Sequence, residues 1–422
     1  MTYDEAIAYI HGLYWRGSKL GLERTTELCH LLGDPQKKLR FIHVAGTNGK
    51  GSTCAMLSRI LHAQGYRTGL FVSPFVDRFN ERIQLNDEPI PDEDLAALVS
   101  EIAPIVDSME SLPTEFEVIT AVAFLYYVRQ NCDYVVLEVG LGGELDSTNV
   151  IDTPLLSIIT AIDYDHMHIL GNTIQEIAQA KAGIVKDGGT VLFYGEHPDA
   201  LPVISDACER HHAVLHVCDR SSIVPETYDL HGQTFSYKAY SHLKLGLLGQ
   251  YQMNNAATVI DAVGILCEKG VAISDEALQK GLETTKWSAR FELLRETPPF
   301  FVDGGHNPHG VNGTVETYRR LFGRKKAVVV LGMMADKDVA KSIRILIPIA
   351  KEFYTATPDN PRAMPAAELA DLIRSLGAKA TPFDTVADAV HRAMKAKGPA
   401  LAVGSLYMAG EVHAAFRDGS EN

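Results

Sequence analysis

Residues 41–52 read FIHVAGTNGKGS, a pattern that predicts a strand, a glycine-rich loop and a helix in direct succession. Phe41–Ala45 is a short, mostly apolar run that predicts a buried strand, and helical spacing begins near Ser52. Glycines between them let backbone N–H groups surround an anion, and Lys50 is placed to reach β- and γ-phosphates. The loop departs from the G-x-x-x-x-G-K-S/T pattern because Gly51 directly follows the lysine. We interpret it as a phosphate-binding loop; a flexible glycine-rich turn is the alternative.

Short apolar runs alternate with helical segments on either side of this loop. Such alternation predicts βαβ units and a mostly parallel sheet covered by helices on both faces. Two predicted strands, Tyr134–Val139 and Leu155–Thr160, are almost continuously apolar, as strands buried on both faces are. The other predicted strands are Thr68–Val72 and Thr190–Tyr194, and the predicted helices are Thr53–Gln64, Phe116–Gln130 and Ile174–Val185.

A second α/β series runs from the predicted strand Phe300–Val302 to the predicted strand Ala400–Val403. Pro298 and Pro299 interrupt the pattern just before it, so a boundary is expected near residues 286–299. We expect an α/β protein in which residues 1–290 form a P-loop domain with a doubly wound, mostly parallel sheet. Residues 291–422 are expected to form a smaller C-terminal Rossmann-like α/β domain.

Two further local predictions bear on how these domains are built. Thr227–Leu248 alternates in polarity, which predicts hairpins at the sheet edge. In the second series, Val339–Ala350 is predicted to be helical and Glu352–Ala356 to be a strand.

The composition is that of a globular protein, with 46% hydrophobic and 22% charged residues among 422. The formal net charge of −14 argues against a general nucleic-acid or anionic-membrane surface, although a local basic pocket can still hold phosphates. No apolar run reaches the roughly 18 residues of a membrane span, and the first charges are acidic, unlike those of a secretory signal peptide. We therefore expect a cytoplasmic protein without nucleic-acid or membrane partners. The six cysteines contain no C-x-x-C pair, which favours reduced thiols.

Glu138 lies at the carboxyl end of the predicted strand Tyr134–Val139, just before the glycine-rich run Gly140–Gly143. In P-loop proteins a carboxylate at the end of a neighbouring parallel strand is where a Mg²⁺ ligand belongs. Glu138 is therefore a candidate metal ligand, and an edge carboxylate facing solvent is the alternative.

Asp163–His168 follows another predicted strand at its carboxyl end, where ligands bind in open α/β sheets. A histidine here can bind a metal or phosphate, and His166 beside Asp165 is our choice, with His168 as the alternative.

Lys181 interrupts an amphipathic helical pattern at Lys181-Ala182-Gly183. A buried base or a covalently modified ligand is one interpretation, but the residues alone favour a solvated lysine.

In the second series, Asp303–Gly310 combines glycines with acidic and histidine side chains between a strand and a helix. Asp303 is a candidate for ribose hydroxyls and His306 for phosphate; a plain strand-to-helix turn is the alternative.

Taken in order, these motifs resemble the folylpolyglutamate synthase and dihydrofolate synthase branch of the Mur ligase family. The matching segments run from about residue 2 to residue 411 in family order. They are GTNGKGS (46–52), SPFVDRFNER (73–82), FEVITAVAF (116–124), EVGLGGELDSTNV (138–150), DHMHILGNTIQEIAQAKAGIVK (165–186), WSARFE (287–292), DGGHNPHG (303–310), GMMADKD (332–338) and GSLYMAGE (404–411).

The resemblance implies ATP-dependent amide formation, in which a folate carboxylate attacks the γ-phosphate of MgATP and L-glutamate attacks the resulting acyl phosphate. It implies catalytic roles for Lys50, His306 and a carbamylated Lys181. Ser73 and Glu138 would bind one Mg²⁺, and His166 with Glu138 would bind a second, with the carbamate of Lys181 as a further ligand. A monovalent cation is a further possible cofactor. The implied ATP-binding residues are Gly46, Thr47, Asn48, Gly49, Lys50, Gly51, Ser52, Asn255, Arg290, Asp303 and His306.

The resemblance also places the pterin site near Ser73–Arg82 and Phe116–Thr120. It implies substrate contacts from Phe75, Arg82, Phe116, Glu117 and Thr120. Two positions depart from the family pattern. Glu144 stands where an arginine is usual, which reverses a charge near an anionic substrate, and Ala180 replaces a common glutamate before the modified lysine.

The acceptor is the open question within this interpretation. The segment SPFVDRFNERIQLNDEPIPD (73–92) resembles that of the folylpolyglutamate synthases of Gram-positive bacteria, which makes polyglutamylation of reduced folates the first choice, while dihydropteroate remains a second acceptor. A family ligase acting on peptidoglycan precursors is disfavoured because those carry threonine where Gly51 stands. The alternative class is a regulatory P-loop NTPase, which would have no use for Arg290, Asp303 and His306. We expect a monomer whose partners are small molecules.

Overall fold

The computed structural model describes residues 1–13, 21–195 and 197–420. The chain forms two compact units. The first contains Met1–Phe75, Phe79–Ser222 and Asn255–Thr284, and the second contains Val76–Arg78, Ile223–Asn254 and Thr285–Asn422. The predicted division at residue 290 differs from this grouping mainly at residues 223–254.

The first unit is built on an eight-stranded sheet, counted over the described residues, in the order β4-β3-β2-β5-β1-β6-β7-β8. All neighbours from β2 to β8 pair in parallel, and only β3 and β4 are antiparallel. The mostly parallel sheet is therefore confirmed. Its strands are β1 (Phe41–Ala45), β2 (Thr68–Phe71), β3 (Ile83–Leu85), β4 (Glu88–Pro89), β5 (Tyr134–Glu138), β6 (Leu156–Ile159), β7 (Thr190–Phe193) and β8 (Val214–Val217).

The strands β1, β5 and β6 form the centre of this sheet, and every residue in them is buried. Their apolar character matches that burial, since both sheet faces are covered by helices. The helices of the first unit are α1 (Tyr3–Gly12), α2 (Glu23–Leu31), α3 (Lys50–Ala63), α4 (Asp92–Ser108), α5 (Glu115–Arg129), α6 (Met167–Leu170), α7 (Ile174–Ala182), α8 (Ala200–Arg210), α9 (Gln250–Glu268, grouped here from Asn255) and α10 (Asp275–Thr284).

A separate three-stranded antiparallel sheet follows β8 and belongs to the second unit. It contains β9 (Ile223–Tyr228), β10 (Gln233–Tyr237) and β11 (Tyr240–Leu245). The prediction of hairpins was right, but their placement at the edge of the main sheet was wrong. Alternating polarity shows that a strand has one buried face, here that of Phe235 and Tyr237, but it does not specify the partner strand.

The second unit also holds a six-stranded sheet within the part of the chain that is described, in the order β12-β13-β17-β14-β15-β16. Only the β12–β13 pair is antiparallel. The smaller C-terminal α/β sheet domain is thus confirmed. Its strands are β12 (Glu292–Glu296), β13 (Pro299–Asp303), β14 (Ala327–Leu331), β15 (Ala350–Thr355), β16 (Ala380–Pro382) and β17 (Ala400–Val403).

Helices flank this second sheet: α11 (Pro308–Phe322), α12 (Val339–Leu346), α13 (Ala366–Ser375), α14 (Val386–Met394) and α15 (Leu406–Ser420). The predicted helix Val339–Ala350 is four residues too long, because a 3-10 turn at Ile347–Ile349 contains Pro348 and leads directly into β15. Proline lacks the N–H that a continuing helix requires. Among the helices of residues 1–13, 21–195 and 197–420, none combines the length and apolar character needed to span a bilayer.

Candidate active site

The glycine-rich loop between β1 and α3 adopts a conformation that depends on two glycines. Gly46 and Gly49 have φ angles of 152° and 87°. A Cβ atom on Gly46 would collide with Thr160 Oγ1, and one on Gly49 would lie 2.6 Å from Asn255 Oδ1. Glycine tolerates both the left-handed backbone and the close approach, so the sequence pattern has a steric cause.

Hydrogen bonds fix this loop to the segment that follows β6. The backbone N–H groups of Thr47 and Asn48 donate to the Ala161 carbonyl at 2.8 and 3.3 Å. The Thr47 hydroxyl donates to the Asp163 carbonyl at 3.0 Å, and the Thr160 hydroxyl donates to the Asn48 carbonyl at 2.9 Å. The loop is thereby held rigidly at the carboxyl end of the central strands.

Helix α3 begins at Lys50, directly after Gly49. The N–H groups of a helix's first turn have no partner within the helix and carry the positive end of its dipole, which favours anions. The Lys50 ammonium donates to the carbonyls of Gly46 at 3.1 Å and Thr47 at 3.4 Å. The lysine therefore lies across the loop, with its charge at the place where phosphates bind in such loops.

Glu138 ends β5, and its register partner on the neighbouring strand is Val44 of β1. It is only 4% exposed, and its Oε2 accepts a hydrogen bond from the Ser73 backbone N–H at 3.1 Å. The alternative of a carboxylate facing solvent is wrong. The sheet thus brings Glu138 and Ser73 together in the first unit.

Lys181, near the end of α7, is 3% exposed, and its ammonium donates to the Gly46 carbonyl at 2.8 Å. Two lysines, Lys50 and Lys181, therefore share one carbonyl oxygen of the loop. Burial and the nearby charge of Lys50 lower the pKa of Lys181 to about 7, although Asp165 and Asp146 oppose the shift. The interpretation as a solvated lysine, which the residues alone favoured, is wrong.

His166 has a left-handed backbone, with φ 49°, just before the short helix α6. Its N–H donates to Asp165 Oδ1 at 2.8 Å, and its imidazole is 35% exposed. The ring of His168 lies 6.4 Å away, centroid to centroid. The choice of His166 over His168 as a ligand stays a prediction.

The side chains at the end of β5 fit a magnesium site of the kind that P-loop proteins have. The described part of the chain contains no group of three His, Cys, Asp or Glu side chains that would hold a metal by themselves. Mg²⁺ at nucleotide sites needs only one or two protein ligands, because phosphate and water oxygens complete its shell. The buried Glu138 carboxylate beside Ser73 meets that requirement.

A buried network beside the GLGG segment was missed by sequence reasoning. Asp146 is 6% exposed and accepts from the Leu141 N–H at 2.8 Å, the Thr148 N–H at 3.0 Å and the Thr148 hydroxyl at 2.5 Å. That hydroxyl lies 2.9 Å from Nε2 of His43, in the middle of β1. Burial raises the pKa of Asp146 and lowers the pKa of His43 to about 3, so this histidine is neutral. The D-x-T spacing, typical of an Asx turn, was the available signal.

Arg82 lies in an aromatic setting. Its guanidinium carbon is 5.2 Å from the ring centroid of Phe75 and 5.3 Å from that of Phe79. One of its nitrogens is 3.8 Å from Glu115 Oε1. The structure therefore brings two of the predicted substrate residues, Phe75 and Arg82, into contact.

The other three predicted substrate residues lie on the first turns of α5. The Glu117 carboxylate accepts the Thr114 N–H at 2.6 Å, completing a capping box, and pairs with Arg24 at 2.8 Å. The Thr120 hydroxyl donates to the Phe116 carbonyl at 2.7 Å. Both polar side chains are buried and have structural partners, whereas the Phe116 ring is half-buried and would contact a Cβ on Gly140 at 2.6 Å.

The second unit carries three of the predicted nucleotide contacts, Arg290, Asp303 and His306. Asp303 ends β13 and is 4% exposed; its carboxylate accepts the Phe291 and Gly305 N–H groups at 2.8 Å each and the Thr314 hydroxyl at 2.6 Å. Burial raises its pKa. Asp303 thus organises the loop that carries His306, whose Nδ1 lies 3.0 Å from the Gly304 carbonyl.

Arg290 lies between two residues with left-handed backbone, Ala289 (φ 55°) and Phe291 (φ 48°). Its Nη1 donates to the Ala289 carbonyl at 3.1 Å. A Cβ on Gly304 would be 2.7 Å from the same Nη1, so glycine is required there for this placement. Asn255, the last predicted nucleotide contact, is buried beside Gly49 in the first unit.

Comparison with known proteins gives matches along most of the chain. The Mur ligase middle domain matches residues 44–263, and the Mur ligase glutamate ligase domain matches residues 289–403. The chain is 43% identical over 381 residues to the dihydrofolate synthase/folylpolyglutamate synthase of Bacillus subtilis strain 168, covering 88% of each chain. It is 37% identical over 435 residues to the folylpolyglutamate synthase of Lacticaseibacillus casei, covering 98% of each.

A solved structure also matches this chain over its whole length. E. coli FolC in complex with DHPP and ADP matches 100% of this chain and 99% of its own, with a TM-score of 0.88 and 30% sequence identity.

Proposed function

Because the chain belongs to the Mur ligase family, in its folylpolyglutamate synthase and dihydrofolate synthase branch, we propose that it adds L-glutamate to the γ-carboxylate of reduced folates at the expense of ATP. One observation carries the site assignment. Lys50 and the buried Lys181 converge on the Gly46 carbonyl of the glycine-rich loop, and Glu138 ends the strand next to the one that leads into this loop.

The proposed reaction has two steps. A folate carboxylate oxygen attacks the γ-phosphorus of ATP and ADP leaves, which gives an acyl phosphate. The amine of L-glutamate then attacks the acyl carbon, phosphate leaves and an amide forms. Lys50 and the first-turn N–H groups of α3 neutralise the transferring phosphoryl group, so catalysis is mostly positioning and charge stabilisation.

Glu138 and Ser73 would hold one Mg²⁺, and His166 with Glu138 would hold a second. When bound, Mg²⁺ supplies positive charge at the phosphate oxygens. The protein's own contribution is to keep the Glu138 carboxylate buried, and therefore fixed in position, at the end of β5.

Lys181 is proposed to carry a carbamate, formed when its neutral amine attacks CO₂ and releases a proton. The lowered pKa supports this, because near neutral pH a substantial share of the amine is uncharged and nucleophilic. The carbamate nitrogen keeps one N–H, which can still donate to the Gly46 carbonyl. Its new carboxylate would offset the charge of Lys50 and provide a metal ligand.

Nucleotide contacts are proposed for two further groups of residues. Asn255 lies beside the loop in the first unit, where its amide is 2.6–3.3 Å from where a Cβ on Gly49 would be. In the second unit, Arg290 is proposed for the phosphates, Asp303 for the ribose and His306 for the transferring phosphoryl group. Asp303 already accepts three hydrogen bonds, so its contact would use the remaining acceptor capacity of the carboxylate.

Reduced folates are the proposed first acceptor and dihydropteroate the second. The relative from Lacticaseibacillus casei is named for the first activity alone, and the relative from Bacillus subtilis for both. The regulatory NTPase alternative finds no support in these relatives.

Phosphate release from ATP tests this proposal. We expect release only when L-glutamate is present together with tetrahydrofolate, and a product heavier by one glutamyl unit. Dihydropteroate in place of tetrahydrofolate tests the second activity in the same assay. Phosphate release that is independent of glutamate and of both acceptors would instead identify an NTPase and contradict the proposal.

A further inference from the structure

His413 of α15 occupies an unusual position in the second unit. Its side chain is 8% exposed and lies between two carboxylates. Nδ1 is 3.0 Å from both oxygens of Asp77, and Nε2 is 3.1 Å from Glu292 Oε2. A neutral imidazole has only one N–H, so this arrangement satisfies both contacts only when the ring is protonated.

The charges around the ring agree with protonation. Burial alone lowers the pKa of His413, but Asp77 and Glu292 outweigh it and raise the pKa to about 9. A further charged group near this cluster is Arg417, one turn along α15, whose Nη1 is 3.4 Å from Asp77 Oδ2. Arg417 is 64% exposed, so solvent weakens its part in the cluster.

On one side, the His413 ring contacts Asp77, the middle residue of a tripeptide. Val76–Arg78 belongs to the second unit, although the chain before and after it belongs to the first. The tripeptide runs close to α15, since a Cβ on Gly410 would collide with the Val76 carbonyl. In sequence the tripeptide follows Ser73 and Phe75, which are a proposed metal ligand and a proposed substrate contact.

On the other side, His413 holds the turn that carries Arg290. Glu292 Oε2 accepts hydrogen bonds from His413 Nε2 and from the Ala289 N–H, the latter at 2.8 Å. The Ala289 carbonyl in turn accepts the Gly304 N–H at 2.8 Å and Arg290 Nη1 at 3.1 Å. Ala289 and Phe291 have left-handed backbones, which residues with a Cβ adopt only when their surroundings enforce it.

We propose that His413 is a positioning residue, whose imidazolium ties Asp77 to the turn that carries Arg290. The proposal rests on the proposed function to the extent that Arg290 contacts the nucleotide. His413 touches no reacting atom. It acts by fixing two chain segments that lead to proposed site residues, and a displacement of about 1 Å in such groups costs on the order of 100-fold in rate.

The test compares three variants in the full-length protein. His413→Gln removes the charge, His413→Arg keeps a cation that can reach two carboxylates, and His391→Gln is the matched control. His391 is half-buried on α14, and its Nε2 contacts the Ala415 carbonyl. We expect kcat to fall roughly 10- to 100-fold in His413→Gln, to recover to within about threefold of wild type in His413→Arg, and to be unchanged in His391→Gln.

The pH profile separates positioning from a general structural role. Wild-type activity should fall as the pH rises through about 9, where His413 loses its proton, and His413→Arg should lack that decline. Should His413→Gln fail to fold, Asp77→Asn carries the same test. It removes the negative charge of one His413 partner, whose side chain is 25% exposed.

Equal kcat in His413→Gln and His391→Gln would overturn the proposal, as would an inactive but folded His413→Arg. Failure of the proposed function looks different, since wild-type protein would then show no glutamate-dependent phosphate release at all.

Discussion

Replacing Lys50 by alanine is expected to lower kcat by roughly 10³-fold or more, the scale on which a phosphate-stabilising cation contributes to phosphoryl transfer. The Lys50 ammonium lies across the glycine-rich loop and donates to the Gly46 and Thr47 carbonyls, which puts its charge at the proposed phosphate site. Its removal leaves the loop backbone without its main cation. Steady-state phosphate release with saturating ATP, glutamate and folate measures the effect.

Lys37→Ala is the control for this variant. Lys37 is 57% exposed and pairs with Asp34 at the surface, so its loss should leave kcat unchanged. Wild-type turnover in Lys50→Ala would show that the loop is a glycine-rich turn without a role in phosphate binding.

Replacing Lys181 by alanine is expected to be nearly as damaging, with kcat lowered by about 10²-fold or more. A buried carbamate would supply both an N–H to the Gly46 carbonyl and a carboxylate, and alanine supplies neither. A short carboxylic acid such as acetate or propionate should enter the vacated space and restore part of the activity. Activity titrated against acid concentration measures this rescue.

Lys50→Ala provides the matched control for rescue, since it lacks a cation and an added acid should not help it. An independent measurement is ¹³C NMR after equilibration with ¹³C-bicarbonate. Wild-type protein should show a carbamate resonance that Lys181→Ala lacks, with more of it at pH 8 than at pH 6, because the pKa of Lys181 is about 7 and only the neutral amine reacts. Full activity of Lys181→Ala without added acid would exclude a required carbamate.

Local sequence patterns predicted most of the fold. The central strands Phe41–Ala45 and Tyr134–Val139 were found to within one residue, because strands buried on both faces are continuously apolar. The helices α1, α2, α4, α6, α8 and α15 were not predicted. The three-stranded sheet β9–β11 was recognised as hairpins but misplaced, because pairing between strands depends on tertiary contacts that alternation does not encode.

The positions of Lys50 after the glycine-rich loop and of Glu138 at the end of a buried strand followed from the sequence pattern, while their roles in phosphate and metal binding stay predictions. Lys181 was not, because a lysine in an amphipathic helix is usually solvated, and only the packing of α7 against the loop buries it. The His43–Thr148–Asp146 network joins residues about 100 positions apart, so local patterns could not reveal it.

Isotope transfer shows whether ATP activates the folate carboxylate as an acyl phosphate. Tetrahydrofolate labelled with ¹⁸O at both oxygens of its γ-carboxylate is incubated with ATP and L-glutamate, and the released phosphate is analysed by mass spectrometry. We expect one ¹⁸O atom in each phosphate, because the carboxylate oxygen that attacks the γ-phosphorus leaves with the phosphate when the amide forms. Amide product accompanied by unlabelled phosphate would contradict this expectation.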